Sequence, residues 1–340
     1  MKRICAFSVI SLAVLGGTQP VLAQSTLNIY GRMSTTLEST KLSGESARNQ
    51  LLNNGSNIGF LGEEDLGGGT KAGFQLEMDV DSSDGSAPDA FASQSEVWLS
   101  GNWGRVRLGN YGGQSFKTIV EEVSLHNDNV GTSADWLFAD IMPSDNHVSY
   151  VTPEIGGLVL ELGFSSRDDR WEKDGVRKNA YELIANYDVG DWSLAASYAD
   201  YSTANQTSLR ALYTVGDFQF GGYWQRDKNG WGWANDAVAV NSAQAAAGHR
   251  NTYRLMGVYN LGSSEFHVNV GYAAKYKHLA GSDAKQWTLG WNYNLSKRTK
   301  VYAHYTKLDN GRNALYGEDV GVTAAGQDMR SLGVGLRHNF

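Results

Sequence analysis

The last twelve residues, Met329 to Phe340 (MRSLGVGLRHNF), divide strictly by twos. Leu332, Val334, Leu336, His338 and Phe340 share one side of an extended strand, while Ser331, Gly333, Gly335, Arg337 and Asn339 share the other. A period of two, with one apolar face and one polar, glycine-rich face, describes a strand between two unlike solvents. The division recurs upstream. Over 286–295, Trp287, Leu289, Trp291, Tyr293 and Leu295 oppose Gln286, Thr288, Gly290, Asn292 and Asn294. Over 265–277, Phe266, Val268, Val270, Tyr272, Ala274 and Tyr276 oppose Glu265, His267, Asn269, Gly271, Ala273, Lys275 and Lys277. Aromatics gather at strand ends, as in Trp192 with Tyr198 and Tyr253 with Tyr259, the pattern of girdles at two membrane interfaces.

Composition agrees with this. Gly (40), Tyr (17) and Trp (10) are abundant and Pro (4) is scarce. Mean hydropathy is negative, as alternation makes it in a membrane barrel. At the N-terminus, basic Met1-Lys2-Arg3, an apolar run over 4–17 and the small-residue site Val21-Leu22-Ala23 read as a secretory signal peptide, residues 1–23. Cys5, the only cysteine, lies inside it, so the mature chain 24–340 has no disulfide framework. Behind it no apolar run approaches the length of a membrane helix. Loss of Lys2 and Arg3 takes the formal charge from -7 to -9, an acidity that argues against nucleic acid as partner.

Sixteen strands are expected, near 26–40, 54–64, 70–80, 92–100, 104–111, 146–153, 157–167, 178–189, 191–201, 205–215, 217–226, 250–261, 264–277, 283–295, 299–308 and 329–340. An even count returns both termini to one side. The connections alternate in length. Short ones, such as 65–69, 101–104, 154–156 and 261–263, are built from Gly, Asp, Asn and Ser, which suit tight hairpins. Longer ones fall near 41–53, 81–91, 112–145, 167–177, 202–204, 227–249, 277–282 and 309–328. A soluble sandwich needs no such asymmetry, and no blade-length repeat indicates a propeller. The fold class is therefore all-β: a sixteen-stranded antiparallel transmembrane barrel. Side chains cannot fill a barrel of that size, so the polar face lines an aqueous lumen.

Several runs carry a family likeness. They are 27–32 (LNIYGR), 58–69 (IGFLGEEDLGGG), 99–109 (LSGNWGRVRLG), 145–150 (DNHVSY) with 153–158 (PEIGGL), and the terminal Phe340. Together they resemble the trimeric general porins of Gram-negative outer membranes, over nearly the whole mature chain. The resemblance implies a homotrimer in outer-membrane lipid and lipopolysaccharide, with short periplasmic turns and long extracellular loops. It also implies a third loop folded into the barrel as the constriction, and Phe340 as part of the assembly signal.

The third long connection, 112–145, suits that role on its own residues, because connections of such length are functional or disordered more often than not. It holds Glu121, Glu122, Asp128, Asp135 and Asp140 against one base, Lys117. Phe116, Ile119, Val120, Val123, Trp136, Leu137, Phe138 and Ile141 are its candidate anchors to the wall. The alternative is a solvated outer loop whose acids do nothing specific. General porins usually set basic residues opposite such acids, and here Asn57, Leu61, Ser93, Asn110 and Ser149 stand at positions that often carry them. Arg32 and Arg107, with Arg210, are the remaining candidates for an inward positive stripe. Under-neutralised acids predict a weak to moderate cation preference, or low charge selectivity.

No catalytic or cofactor signal competes. No G-x-S-x-G elbow is present, the seven histidines lack H-E-x-x-H spacing, and 81–85 (DSSDG) lacks the closing Glu of a calcium loop. The expected function is passive diffusion of small hydrophilic solutes and ions, with no cofactor. Two alternatives stand beside it: a sugar- or organic-acid-selective porin with an aromatic track (Tyr30, Trp136, Phe138), and a non-transport barrel such as an adhesin, receptor or hydrolase.

Overall fold

The computed structural model describes residues 25–340 except 88–89, 124–130, 134, 143–144, 167–178, 202, 231–246 and 318–319. The signal peptide 1–23 and Asp128 lie outside the described residues, as do large parts of the connections expected at 167–177 and 227–249.

The strands are β1 (Ser25–Leu42), β2 (Arg48–Asn53), β3 (Asn57–Gly67), β4 (Thr70–Asp79), β5 (Gln94–Gly101), β6 (Gly104–Tyr111), β7 (His147–Val151), β8 (Leu158–Ser165) and β9 (Ala180–Val189). They continue as β10 (Trp192–Tyr201), β11 (Ala204–Val215), β12 (Phe218–Lys228), β13 (His249–Leu261), β14 (Ser264–Ala273), β15 (Ala284–Asn294), β16 (Thr299–Asn310) and β17 (Met329–Asn339). β1 pairs with β3 over its first half and with β2 over its second, so β2 and β3 form one stave and the described strands make sixteen staves. β17 pairs with β16 on one side and β1 on the other, from Arg32↔Asn339 to Leu42↔Met329, which closes the ring.

The break between β2 and β3 corrects the sequence reading, which placed 48–53 in a loop. Gly55 adopts φ +73°, and the kinked segment 54–56 is tied down by polar groups. Ser34 N donates to Ser56 Oγ at 2.9 Å, Asn54 N to Ser34 O at 2.9 Å, and Arg32 Nε to Gly55 O at 2.7 Å. These bonds bridge a gap in the ladder that would otherwise leave backbone groups unpaired. The connection between β10 and β11 also differs from expectation, since it is as short as the turns at the other rim. At that rim Gly190, Gly216 and Gly262 lie at φ +57°, +54° and +59°, and the following Asp191, Asp217 and Ser263 are not in the left-handed region. That combination is a type II′ hairpin turn, whose first central position requires glycine.

Alternation sets the two surfaces. Leu255 is 70% exposed on the outside, while its neighbours Arg254 and Met256 are 2% and 5% exposed on the inside. Exposed Leu27, Leu162, Leu289 and Val334 continue the outer apolar band around the barrel. Glycines accommodate aromatic rings across strand pairs. Tyr30 lies over Gly59, Phe74 over Gly62, Trp98 over Gly73, Tyr302 over Gly335 and Phe340 over Gly31, each pair directly opposed in register. At the closing seam, Gly31 and Phe340 exchange both backbone hydrogen bonds, at 3.1 and 3.0 Å.

Tyr302 is the buried hub of that seam. Its hydroxyl meets Asn54 Nδ2 at 2.9 Å, Thr36 Oγ1 at 2.6 Å and Ser34 Oγ at 3.2 Å. A side chain at Gly335 would come within 2.2 Å of the ring. Gly335→Val is therefore expected to displace Tyr302 and leave those groups poorly paired, costing about 1–3 kcal/mol. Urea unfolding of the folded barrel in lipid vesicles checks this; an unchanged midpoint would show that Tyr302 is not the hub.

Candidate pore constriction

The connection between β6 and β7 turns into the barrel. It begins with one helical turn, Gln114–Phe116, continues as a wide π-type turn over Lys117–Glu121, and later makes a short 3-10 turn at Gly131–Ser133. Ile119, Val120, Val123 and Phe138 are fully buried against Ala195, Leu212, Tyr223, Met256 and Val258, inward residues of β10 to β13. Trp136, Leu137 and Ala139 pack on Leu42, Ala273, Ala284, Leu308 and Met329, inward residues of β1 and β14 to β17. Ile141 and Met142 meet Ala180, Ala199 and Ala204. Burial of these side chains is the main attraction holding the loop inside, since each apolar side chain removed from lumen water contributes about 1.5–3 kcal/mol.

Polar stitches fix its path. Glu182 of β9 accepts from Gln114 N at 3.0 Å and Ser115 N at 2.7 Å, which caps the helical turn. Gln225 of β12 grips Ala139 twice, accepting from its N and donating to its O, both at 2.8 Å. Arg250 donates to Leu137 O at 3.0 Å while its Nε holds Asp227 at 2.9 Å. Thr132 Oγ1 donates to Glu38 and lies 2.9 Å from His304 Nε2, joining the loop to β1 and β16.

The structure sorts the expected constriction residues into different roles. Glu121 and Glu122 are exposed on the loop, and Arg210 Nη1 lies 3.5 Å from Glu122 Oε2. Arg32 is half-buried on the inward face of β1, bound to Gly55 O. Asp135 does not face open lumen: it is fully buried, 3.0 Å from Arg254 Nη1, and accepts from the Tyr223 hydroxyl. It was expected at the aperture, but a carboxylate so placed serves as an anchor. Arg107 is likewise not an open cation, because Glu96 and Glu161 hold it. Phe340 is 42% exposed on the outer surface. Trp136 and Phe138, candidates for an aromatic track, are buried against the wall, so they line no such track. Asn110 stands on the outward face of β6 with Val106 and Leu108, so no inward base is replaced there.

Sequence reasoning missed Glu38, Glu96, Glu161, Glu182, Arg250 and Arg254. A signal was present. Each is a charge at an inward position of an alternating strand, as Glu182 is in 181–185 (YELIA).

Asp140 was also expected at the aperture, and it lies instead where the loop returns to the wall. Its Oδ1 is buried with no hydrogen-bond partner among the described residues. Burial, reinforced by the nearby charge of Glu182, pushes its carboxyl up to about 7. The folded state thus binds this proton more tightly than the unfolded chain. The resulting stabilisation is full below the ordinary value of 3.8, declines as pH rises, and is gone above about 7. Loop anchoring is therefore expected to weaken from pH 5 to pH 8, read as growing current noise in bilayer recordings. Asp140→Asn should flatten that trend; an unaltered trend would assign it to another group.

A family model described as Gram-negative porin matches residues 8–313. Outer membrane porin protein 32 of Delftia acidovorans is 31% identical over 370 residues, covering 98% of this chain and 99% of the relative. The major outer membrane protein P.IB of Neisseria lactamica is 26% identical over 349 residues, covering 94% and 96%. Among solved structures, the anion-selective porin from Comamonas acidovorans superposes with a TM-score of 0.73 at 26% identity, covering 93% of this chain and 100% of that one.

Proposed function

Because the chain belongs to the Gram-negative porin family, a barrel of the bacterial outer membrane, we propose that it is a water-filled channel for passive diffusion of small hydrophilic solutes and ions, with a weak cation preference. The observation that carries this reading is the inward-packed loop, which narrows the lumen and leaves Glu121 and Glu122 exposed. Lys117 shares the turn that carries Glu121, and the wall bases are paired with acids: Arg210 with Glu122, Arg254 with Asp135 and Arg107 with Glu96 and Glu161. Acids are left in excess in a water-filled passage with low-dielectric walls, where fixed charge acts strongly on passing ions. The anion selectivity named for the Comamonas protein is not carried over, because this charge balance points the other way. Porins are channels, and we assign this chain no catalysis and no cofactor. Arg32, Glu121 and Glu122 are the charges that we place at the constriction.

We assign it a homotrimeric state, set in outer-membrane lipid and lipopolysaccharide. Trimeric assembly is named for one structurally similar porin, OmpT of Vibrio cholerae. Phe340, bonded to Gly31 at the seam, suits a part in assembly.

The test is single-channel conductance in a planar bilayer, with the reversal potential taken under a KCl gradient. Three-step openings with a mildly cation-selective potential are expected. Glu121→Gln with Glu122→Gln should lower the cation-to-anion permeability ratio about twofold or more. An anion-selective wild type would overturn the preference, and a barrel that inserts silently would overturn the channel.

A further inference from the structure

Arg107 stands on the inward face of β6, where the motif reading makes it one of the few bases available to balance the loop's acids. Its surroundings reverse that role. Nε lies 2.7 Å from Glu96 Oε2 and Nη2 3.0 Å from Glu96 Oε1, a two-pronged pair. Nη1 lies 3.1 Å from Glu161 Oε1. All three guanidinium nitrogens are therefore occupied by carboxylates.

The strands are arranged to permit this. Glu96 comes from β5, the neighbour of β6, while Glu161 comes from β8, two strands away on the other side. It reaches Arg107 because β7 places small Ser149 opposite Arg107 in register. Ser149 Oγ donates to Glu161 at 2.7 Å and receives the Tyr111 hydroxyl at 3.0 Å. The Tyr111 ring stacks on the guanidinium, 4.0 Å from its centroid. Side-chain exposure is 10% for Arg107, 3% for Glu96 and 13% for Glu161.

One base between two acids gives a wall element with a net charge of minus one. Fork-to-fork arginine–carboxylate pairs are among the strongest charge-assisted hydrogen bonds. A solute anion in water offers the guanidinium no better partner, whereas the surplus carboxylate charge attracts cations at this depth.

We infer that Glu96 and Glu161 are selectivity-determining residues of this channel, converting the wall at Arg107 from a site that favours anions into one that favours cations. The inference rests on the channel reading above and extends it from the loop to β5 and β8. It predicts that cation preference survives in part when the loop's exposed acids are neutralised.

The experiment compares reversal potentials of wild type, Glu161→Gln, Glu96→Gln with Glu161→Gln, and Arg107→Gln, in planar bilayers under a KCl gradient. The double variant frees Arg107 and is expected to lower the cation-to-anion permeability ratio about threefold or more. Glu161→Gln leaves the two-pronged Glu96 pair intact, so it reads the electrostatic effect without threatening the fold, and it should move the ratio in the same direction. Arg107→Gln should raise the ratio. Folding is checked by heat-modifiable migration on gels. If folded Glu161→Gln and the double variant keep the wild-type ratio in a conducting, ion-selective channel, the inference is overturned while the channel reading stands. A wild-type barrel that inserts without conducting overturns both.

Discussion

The structure depends on one requirement, that every backbone N–H and C=O within the hydrocarbon layer finds a partner in the chain itself. An open sheet cannot meet it, because its two edges would face lipid unpaired. Here it is met by the seam between β1 and β17, eleven register pairs long and finished by the exchange of backbone bonds between Gly31 and Phe340. Even the interruption between β2 and β3 obeys it, since the Ser56 hydroxyl accepts from Ser34 N, Asn54 N donates to Ser34 O and the Arg32 guanidinium donates to Gly55 O. Closure on this scale in turn creates an interior too wide for wall side chains to fill, and the inward loop exists in that space.

The loop is held by two kinds of force that are kept apart along its length. Apolar side chains bury against inward alanines, leucines and methionines, which drives it onto the wall without choosing a path. Path is chosen by directional contacts: Glu182 at its start, Gln225 and Arg250 near its return, Glu38 and His304 opposite its middle. Arg250 also engages the Tyr316 hydroxyl from the last long connection, whose Leu315, Tyr316 and Val322 pack in the same cluster as Trp136 and Leu137. The inward loop and that last connection therefore share one foundation.

Strand number, order and faces were legible in the sequence because alternation, turn chemistry and loop lengths all report on the same geometry. Misreadings arose where local pattern and tertiary context part. Arg48–Asn53 reads as polar loop, yet it lies against β1 and inherits its pairing from that strand. The loop's anchors Ile119, Val120 and Phe138 were legible as apolar residues in a polar stretch. Its acids were not separable, because Glu122 and Asp135 differ only in their surroundings: an exposed carboxylate with Arg210 at 3.5 Å for one, a buried carboxylate with Arg254 and Tyr223 at contact for the other. Arg107 shows the same limit. A positive charge is visible in sequence, but its sign in the lumen is decided by Glu96 and Glu161, fifty-four residues apart from it in the second case.

The strict alternation of the strands has a consequence for how such a chain changes over time. Lipid-facing residues answer to the bilayer and inward residues to water and their lumen neighbours, as Leu255 between Arg254 and Met256 illustrates. Substitutions at inward positions away from packed seam pairs such as Tyr302 and Gly335 leave insertion and closure untouched, and substitutions at lipid-facing positions leave the passage untouched. The barrel thus separates inheritance of its architecture from inheritance of its permeability, so that descendants of one scaffold diverge in what they admit without having to rediscover how to fold.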